Sequence, residues 1–346
     1  MSSIGVDQGR ERIIASWLLL CCVMIFAMVV LGGVTRLTGS GLSMVEWDPI
    51  FGVVPPLNQE EWQIVFDKYR TSPEYQKVNM HMDVDDFKSI YWFEFAHRLL
   101  GRTIGTMFLL PFLFFLWRGW LRRALIPKLV AMFVLGGLQG ALGWYMVASG
   151  LVDNPHVSQY RLTAHLVAAF IIYGYIFWVA LGLLSTPPDR PAASPARLHT
   201  GTLLFLVLVL ITITSGGFVA GLKAGYAYST FPLMDGKLIP EAIFLLEPRW
   251  HNFFENIATV QFNHRLLAML ILVSGIALWI HARGLPAALR LRAHLLLGMI
   301  GLQVALGIST LLLHVPLALA SAHQAGALVL LTLTLYLLHG LHQART

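Results

Sequence analysis

Apolar residues fall in eight long runs, and polar residues collect between them. The runs cover roughly 13–34, 91–117, 127–149, 160–184, 200–221, 257–281, 290–313 and 317–339. Each is long enough to cross a bilayer as a helix, which takes about 20 residues. In lipid the backbone must satisfy its own hydrogen bonds, so a run of this length reads as a helix rather than a strand. Between the first two runs lies the largest polar stretch, about 35–90. Within it, N-Q-E-E-W-Q-I-V-F-D-K-Y (58–69) has a capping residue followed by helical apolar spacing, which predicts a short surface helix. D-V-D-D-F (83–87) places acids at the positive dipole end of the second long helix.

The runs are written twice. L-G-G-V-T-R-L (31–37) answers to S-G-G-F-V-A-G-L (215–222), and G-L-Q-G-A-L-G (137–143) to G-L-Q-V-A-L-G (301–307). E-F-A-H-R-L-L (94–100) answers to Q-F-N-H-R-L-L (261–267), and T-A-H-L (163–166) to S-A-H-Q (321–324). Four matches in one order indicate a duplication. An even number of spans per half keeps both halves in the same orientation, related by an axis along the membrane normal. The fold class expected is an all-α integral membrane protein, with eight transmembrane helices in two pseudo-symmetric four-helix bundles. Residues 1–185 form the first bundle and 200–346 the second. The proline-rich stretch T-P-P-D-R-P-A-A-S-P (186–195) lies within a linker at 186–199.

Composition agrees with lipid burial. The chain of 346 residues is 57% hydrophobic and 12% charged, against roughly 25% charged in soluble domains. The net charge of +6 matters through its placement. Arg10, Arg12, Arg118, Arg122, Arg123, Lys128, Arg190, Arg197, Arg283, Arg290, Arg292 and Arg345 fall on one side of the expected membrane. Glu46, Asp48, Glu60, Glu61, Asp67, Glu74, Asp83, Asp85 and Asp86 fall on the other. The positive-inside rule then puts both termini in the cytoplasm. The basic balance reports topology, not nucleic acid. The first run is too long for a signal h-region and reads as a retained anchor. With no Arg/Ser-rich transit segment at its head, the chain is expected in a bacterial inner membrane. Cys21 and Cys22 are adjacent inside the first run, which excludes a disulfide framework.

Four histidines repeat with the duplication: His97, His165, His264 and His323. Each lies about six residues inside its run from the outer end, about 10 Å deep at 1.5 Å per residue. Two imidazoles on facing helices suit the axial positions of a haem iron, so two haem sites are expected on the periplasmic side. Four positions on from each histidine the residue is small: Gly101, Ala169, Ala268 and Ala327. A small residue on the shared helical face leaves room for a flat macrocycle. Helix packing in membranes favours small residues too. One histidine per helix differs from the cytochrome b plan, in which one helix supplies two. The remaining histidines lie in loops or toward the inner side and are poor ligands. Glu94 sits one turn before His97, where the second half has Gln261. An ionisable group at membrane depth is a functional candidate, able to relay protons or to stabilise positive charge on the macrocycle. Arg98 and Arg265 follow the first and third histidines and are candidates for haem propionates; lipid phosphate would suit them as well.

On the G-G-V-T-R-L-T-G-S-G-L-S (32–43), E-F-A-H-R-L-L-G-R (94–102), Q-F-N-H-R (261–265) and S-A-H-Q (321–324) phrases, the chain resembles the haem A synthases of the bacterial and mitochondrial type. The resemblance implies an oxidoreductase acting on a CH3 group, which converts haem O to haem A by successive hydroxylations of a ring methyl to a formyl. It implies haem b on His264 and His323, substrate haem on His97 and His165, and Glu94 as a catalytic residue. It also implies contact with haem O synthase and a role in terminal oxidase assembly; no redox partner is indicated. Some members carry cysteine pairs in outer loops. This chain has none, which resembles the branch shared by alphaproteobacteria and mitochondria. The other readings are a di-haem membrane cytochrome b-type electron carrier and a transporter or haem-handling assembly factor. The Glu94/Gln261 difference favours the enzyme over the carrier. A transporter calls for interrupted helices, and the runs are not interrupted.

Overall fold

The computed structural model describes residues 2–46, 52–152, 155–185 and 196–345. Most of the expected linker, together with Asp48 and Arg190, lies outside the described residues. Among the described residues eight helices are long and apolar enough to cross a membrane. They are α1 (Ser2–Leu37), α3 (Val84–Trp117), α4 (Ile126–Ala148), α5 (Gln159–Leu184), α6 (Ala196–Gly221), α8 (Ile257–Ala282), α9 (Ala287–Leu312) and α10 (Leu317–Gln343). Two shorter helices, α2 (Gln59–Arg70) and α7 (Asn252–Glu255), lie in the connections. The long helices turn large apolar side chains outward: Leu110, Leu138, Leu204 and Val273 are each more than 60% exposed. A soluble protein rarely shows such a belt; hydrocarbon is the solvent it fits.

The chain divides into two compact units, residues 23–169 and residues 1–22 with 170–346. In the larger unit α6, α8, α9 and α10 close into a four-helix bundle, each helix packing on two of the others. Phe205 and Ile300 meet beside Gly275 within it, and Val209, Leu296 and Leu328 are buried. The amino-terminal part of α1 and the carboxyl-terminal part of α5 belong to this unit. Tyr173 on α5 bonds the Thr332 hydroxyl of α10 at 2.8 Å, and a methyl group at Gly174 would touch Leu335. Cys21 and Cys22 are buried, free thiols.

In the other unit α1 meets α3, and α3 meets α4. Met28 of α1 fills the space beside Gly101, 3.2 Å from where a Cβ would stand, and Phe108 stacks on Phe133. The expected surface helix is α2, capped by the Asn58 side chain, which accepts from the Glu61 amide. The acids at 83–86 cap α3 as expected: Asp83 and Asp86 form a reciprocal capping box. The helix therefore starts at Val84, earlier than the apolar run. Its extra turns carry Phe87 and Tyr91, which pack with Trp62, Phe66 and Tyr69 of α2 into an aromatic core. Such cores hold a loop domain through area and edge-to-face contact.

One carboxyl lies inside this small core. Glu74 is 8% exposed and accepts from the Tyr69 hydroxyl at 3.1 Å, which in turn accepts from the Asn79 amide at 2.8 Å. Burial pushes the Glu74 carboxyl up from 4.5 to about 7; the Tyr69 bond opposes this and the charge of Glu94 adds to it. The folded loop therefore keeps a proton that the unfolded chain has released. The stabilisation is present in full below the ordinary carboxylate range and is lost as pH rises through about 7, with a size of about 3 kcal/mol at most. Amide protection in α2 should thus fall between pH 5 and pH 8, and Glu74→Gln should remove the dependence. An equal pH dependence in the variant would contradict this account.

Candidate functional site

The four histidines stand near the amino-terminal ends of α3, α5, α8 and α10. His165, His264 and His323 lie about two turns in, and His97 about four, because α3 extends outward to build the loop core. His264 and His323 face each other across the bundle with ring centroids 6.4 Å apart and planes at 87°. Two imidazoles on opposite sides of one metal, each at the roughly 2 Å metal–nitrogen distance usual for histidine, have centroids about 6 Å apart. The pair therefore has the spacing of axial ligands to a single iron. His97 and His165 also come together, within electrostatic reach of each other. Among the described residues no group of three or more His, Cys, Asp or Glu side chains could hold a bare metal ion. Two ligands suffice where a macrocycle supplies the rest.

Each imidazole rests on a glycine of the neighbouring helix. A Cβ at Gly216 would stand 3.1 Å from His264 Cε1, at Gly307 2.9 Å from His323 Cε1, and at Gly143 2.9 Å from His165 Cε1. At Gly32 the nearest atom is His97 Nε2, at 3.0 Å. His97 is thus turned differently from the other three, with Nε2 in the place that Cε1 takes in them. In the second half the Thr212 carbonyl lies near the His264 ring and the Gln303 carbonyl near the His323 ring. Neither approach closes a well-aligned hydrogen bond.

The glutamines of the G-L-Q phrases act alike. Gln139 donates to the His165 carbonyl at 2.8 Å, and Gln303 to the His323 carbonyl at 2.9 Å. Each fixes the height of one histidine against the next helix. The same buried atoms lack partners in both halves: Gln139 Oε1, Thr163 Oγ1 and His165 Nδ1 in one, Gln303 Oε1, Ser321 Oγ and His323 Nδ1 in the other. Matching glycines and glutamines carry the duplication down to single contacts. The sequence shows them only as repeated phrases, because their role depends on which helix lies opposite.

Glu94 is 3% exposed and occupied. Its carboxylate accepts from the Ser43 hydroxyl and the Met44 amide, both at 2.8 Å, and pairs with Arg98. Arg98 also donates to the carbonyls of Met44 and Glu46, at 2.8 and 2.9 Å. The two side chains clasp residues 43–46 to α3. In the second half Gln261 donates to the Tyr228 carbonyl at 3.1 Å, and Arg265 to those of Tyr228 and Thr230, at 3.0 and 2.8 Å. The polarity is inverted: an acceptor holds backbone N–H in one half, and a donor holds backbone C=O in the other. Both arginines expected at propionates are thus engaged by backbone. A cavity of about 170 Å3 opens beside Arg98 and Trp144, smaller than pockets that enclose whole cofactors. His281 and His294 are held by carbonyls of their own helices.

Residues 15–335 match the model of a family described as cytochrome oxidase assembly protein, COX15-CtaA. The chain is 55% identical to a protein of Nitrosospira multiformis named Heme A synthase, over 96% of this chain and 94% of that one. It is 50% identical to a Heme A synthase of Paramagnetospirillum magneticum, over 96% and 95%. It is 47% identical to Heme A synthase COX15 of Arabidopsis thaliana, over 96% and 75%. The chain belongs to the haem A synthase family.

Within this family member, removing one side of the Glu94–Arg98 pair leaves a buried charge uncompensated, at a cost on the order of 3–5 kcal/mol. Arg98→Met should therefore lower the thermal unfolding midpoint of the purified protein by several degrees. Arg265→Met, which gives up hydrogen bonds to carbonyls alone, should lower it less. Equal losses would show that the ion pair is not what holds the loop.

Proposed function

We propose that the chain is a haem A synthase, oxidising a ring methyl of haem O to the formyl of haem A by successive hydroxylations, with haem b as its electron-transfer cofactor. The observation that carries this reading is the His264–His323 pair, at the spacing of axial ligands, in a chain about half identical over nearly its whole length to proteins named Heme A synthase. His264 and His323 would hold the haem b iron, and bound haem b would supply one-electron transfer. His97 and His165 would hold the iron of the substrate haem.

Glu94 is the charged group one turn from His97. Ser43, Met44 and Arg98 all donate to it, and they hold the carboxylate in one place. We infer that the carboxylate of this ion pair would stabilise positive charge developing on the substrate ring, a preorganised electrostatic form of catalysis. Gln261 carries no such charge, which suits a half that only transfers electrons. The charge pattern supports a topology with both termini in the cytoplasm and the histidines toward the periplasmic side of a bacterial inner membrane. Haem O synthase and the terminal oxidase under assembly are the partners expected there.

Pigment extraction tests the reading directly. Purified protein should yield haem O or haem A alongside haem b; haem b alone in both halves would indicate a di-haem electron carrier instead. Glu94→Gln should keep haem b while haem A output in cells falls by roughly 100-fold or more, the scale of an electrostatic contribution. Undiminished output would take Glu94 out of the mechanism. His264→Ala should lose haem b, and an intact low-spin spectrum would overturn the ligand assignment.

A further inference from the structure

We propose that Gly216 and Gly307 are positioning residues for the iron ligands of the second half, holding the two imidazole planes perpendicular. This inference rests on the haem b reading above and adds what fixes the ligands' orientation. The planes of His264 and His323 stand at 87°. A ring on a Cβ–Cγ bond turns easily, so something must select that angle. On each side the selecting surface is the same: a glycine against the Cε1 edge, with the carbonyl one turn before it beside the ring. Gly216 and the Thr212 carbonyl serve His264, and Gly307 and the Gln303 carbonyl serve His323. The two surfaces belong to different helices, α6 and α9, so each ring takes its orientation from a different wall of the bundle.

A methyl group at either glycine would stand 3.1 or 2.9 Å from an imidazole carbon, inside the 3.5–4.0 Å optimum for carbon pairs. The ring would have to turn or retreat. Close helix approach is the ordinary use of membrane glycines, and Gly275 provides it here: its added Cβ would strike Ile300, not a histidine. Gly298 on α9 has nothing within 4 Å. These two glycines separate packing from ligand orientation.

The angle between axial imidazole planes is read by ferric EPR. Perpendicular planes leave two iron d orbitals nearly degenerate and give a highly anisotropic low-spin signal with one large g value. Parallel planes give a rhombic signal. Full-length wild-type protein should show the anisotropic form for haem b. Gly216→Ala and Gly307→Ala should move that large g value down and shift the haem b midpoint potential, or lose haem b altogether. Gly275→Ala and Gly298→Ala should keep the wild-type signal, even where Gly275→Ala lowers stability. If the two key variants do not accumulate, Gln303→Leu, which frees the His323 carbonyl but leaves the helix intact, should give a smaller shift in the same direction. Haem b retained with wild-type signal and potential in the Gly216 and Gly307 variants, or in Gln303→Leu, would overturn the proposal. So would an equal shift in Gly275→Ala. A wild-type protein without haem b would instead overturn the function reading on which this one rests.

Discussion

A histidine that serves a metal from inside a membrane must be oriented without being consumed. One ring nitrogen faces the protein, the other stays free, and the ring is kept from rotating between the two states. Side chains could do this only by adding polar groups to an apolar interior, at a cost in desolvation. Here bare main chain, not polar side chains, lies against the rings. Gly32, Gly143, Gly216 and Gly307 remove a side chain from the facing helix and let each imidazole lie against bare main chain. Gln139 and Gln303 then fix the height of the second histidine in each half. The glycine pairs, the G-L-Q phrases and the histidine phrases are parts of one contact made four times.

The halves differ where chemistry would require it. Glu94 and Arg98 form a buried ion pair that also gathers Ser43 and the Met44 and Glu46 backbone. Gln261 and Arg265 hold the corresponding connection through carbonyls alone. His97 has Nε2 against its glycine, and the other three histidines have Cε1 there. A duplicated scaffold thus carries one half with a buried ion pair and a turned imidazole, and one half with neither. The first half also bears the larger outer loop, with its aromatic core and the buried Glu74.

The helices were legible because lipid imposes both length and backbone pairing on any segment that crosses it. The histidine pairs were legible because duplication wrote them twice. The capping residues Asn58 and Asp83 were local signals and behaved as such. The glycines appeared in the sequence only as marks of the repeat, since nothing in a single chain says which helix faces which. Glu94 and Arg98 are four residues apart, the spacing of a helical ion pair, and that pattern was available. Their grip on residues 43–46 was not, because it joins α3 to positions some fifty residues earlier that belong to no regular element. The strip of small residues expected beside His97 is partly taken up by packing, with Met28 beside Gly101.

Near-infrared magnetic circular dichroism of the oxidised, full-length protein tests the central claim most directly, because its charge-transfer band identifies the two axial ligands of low-spin haem. The account predicts a band at the energy of bis-imidazole coordination for the haem b centre. A band of histidine–methionine ligation, or a high-spin haem b with one axial position open, would contradict it.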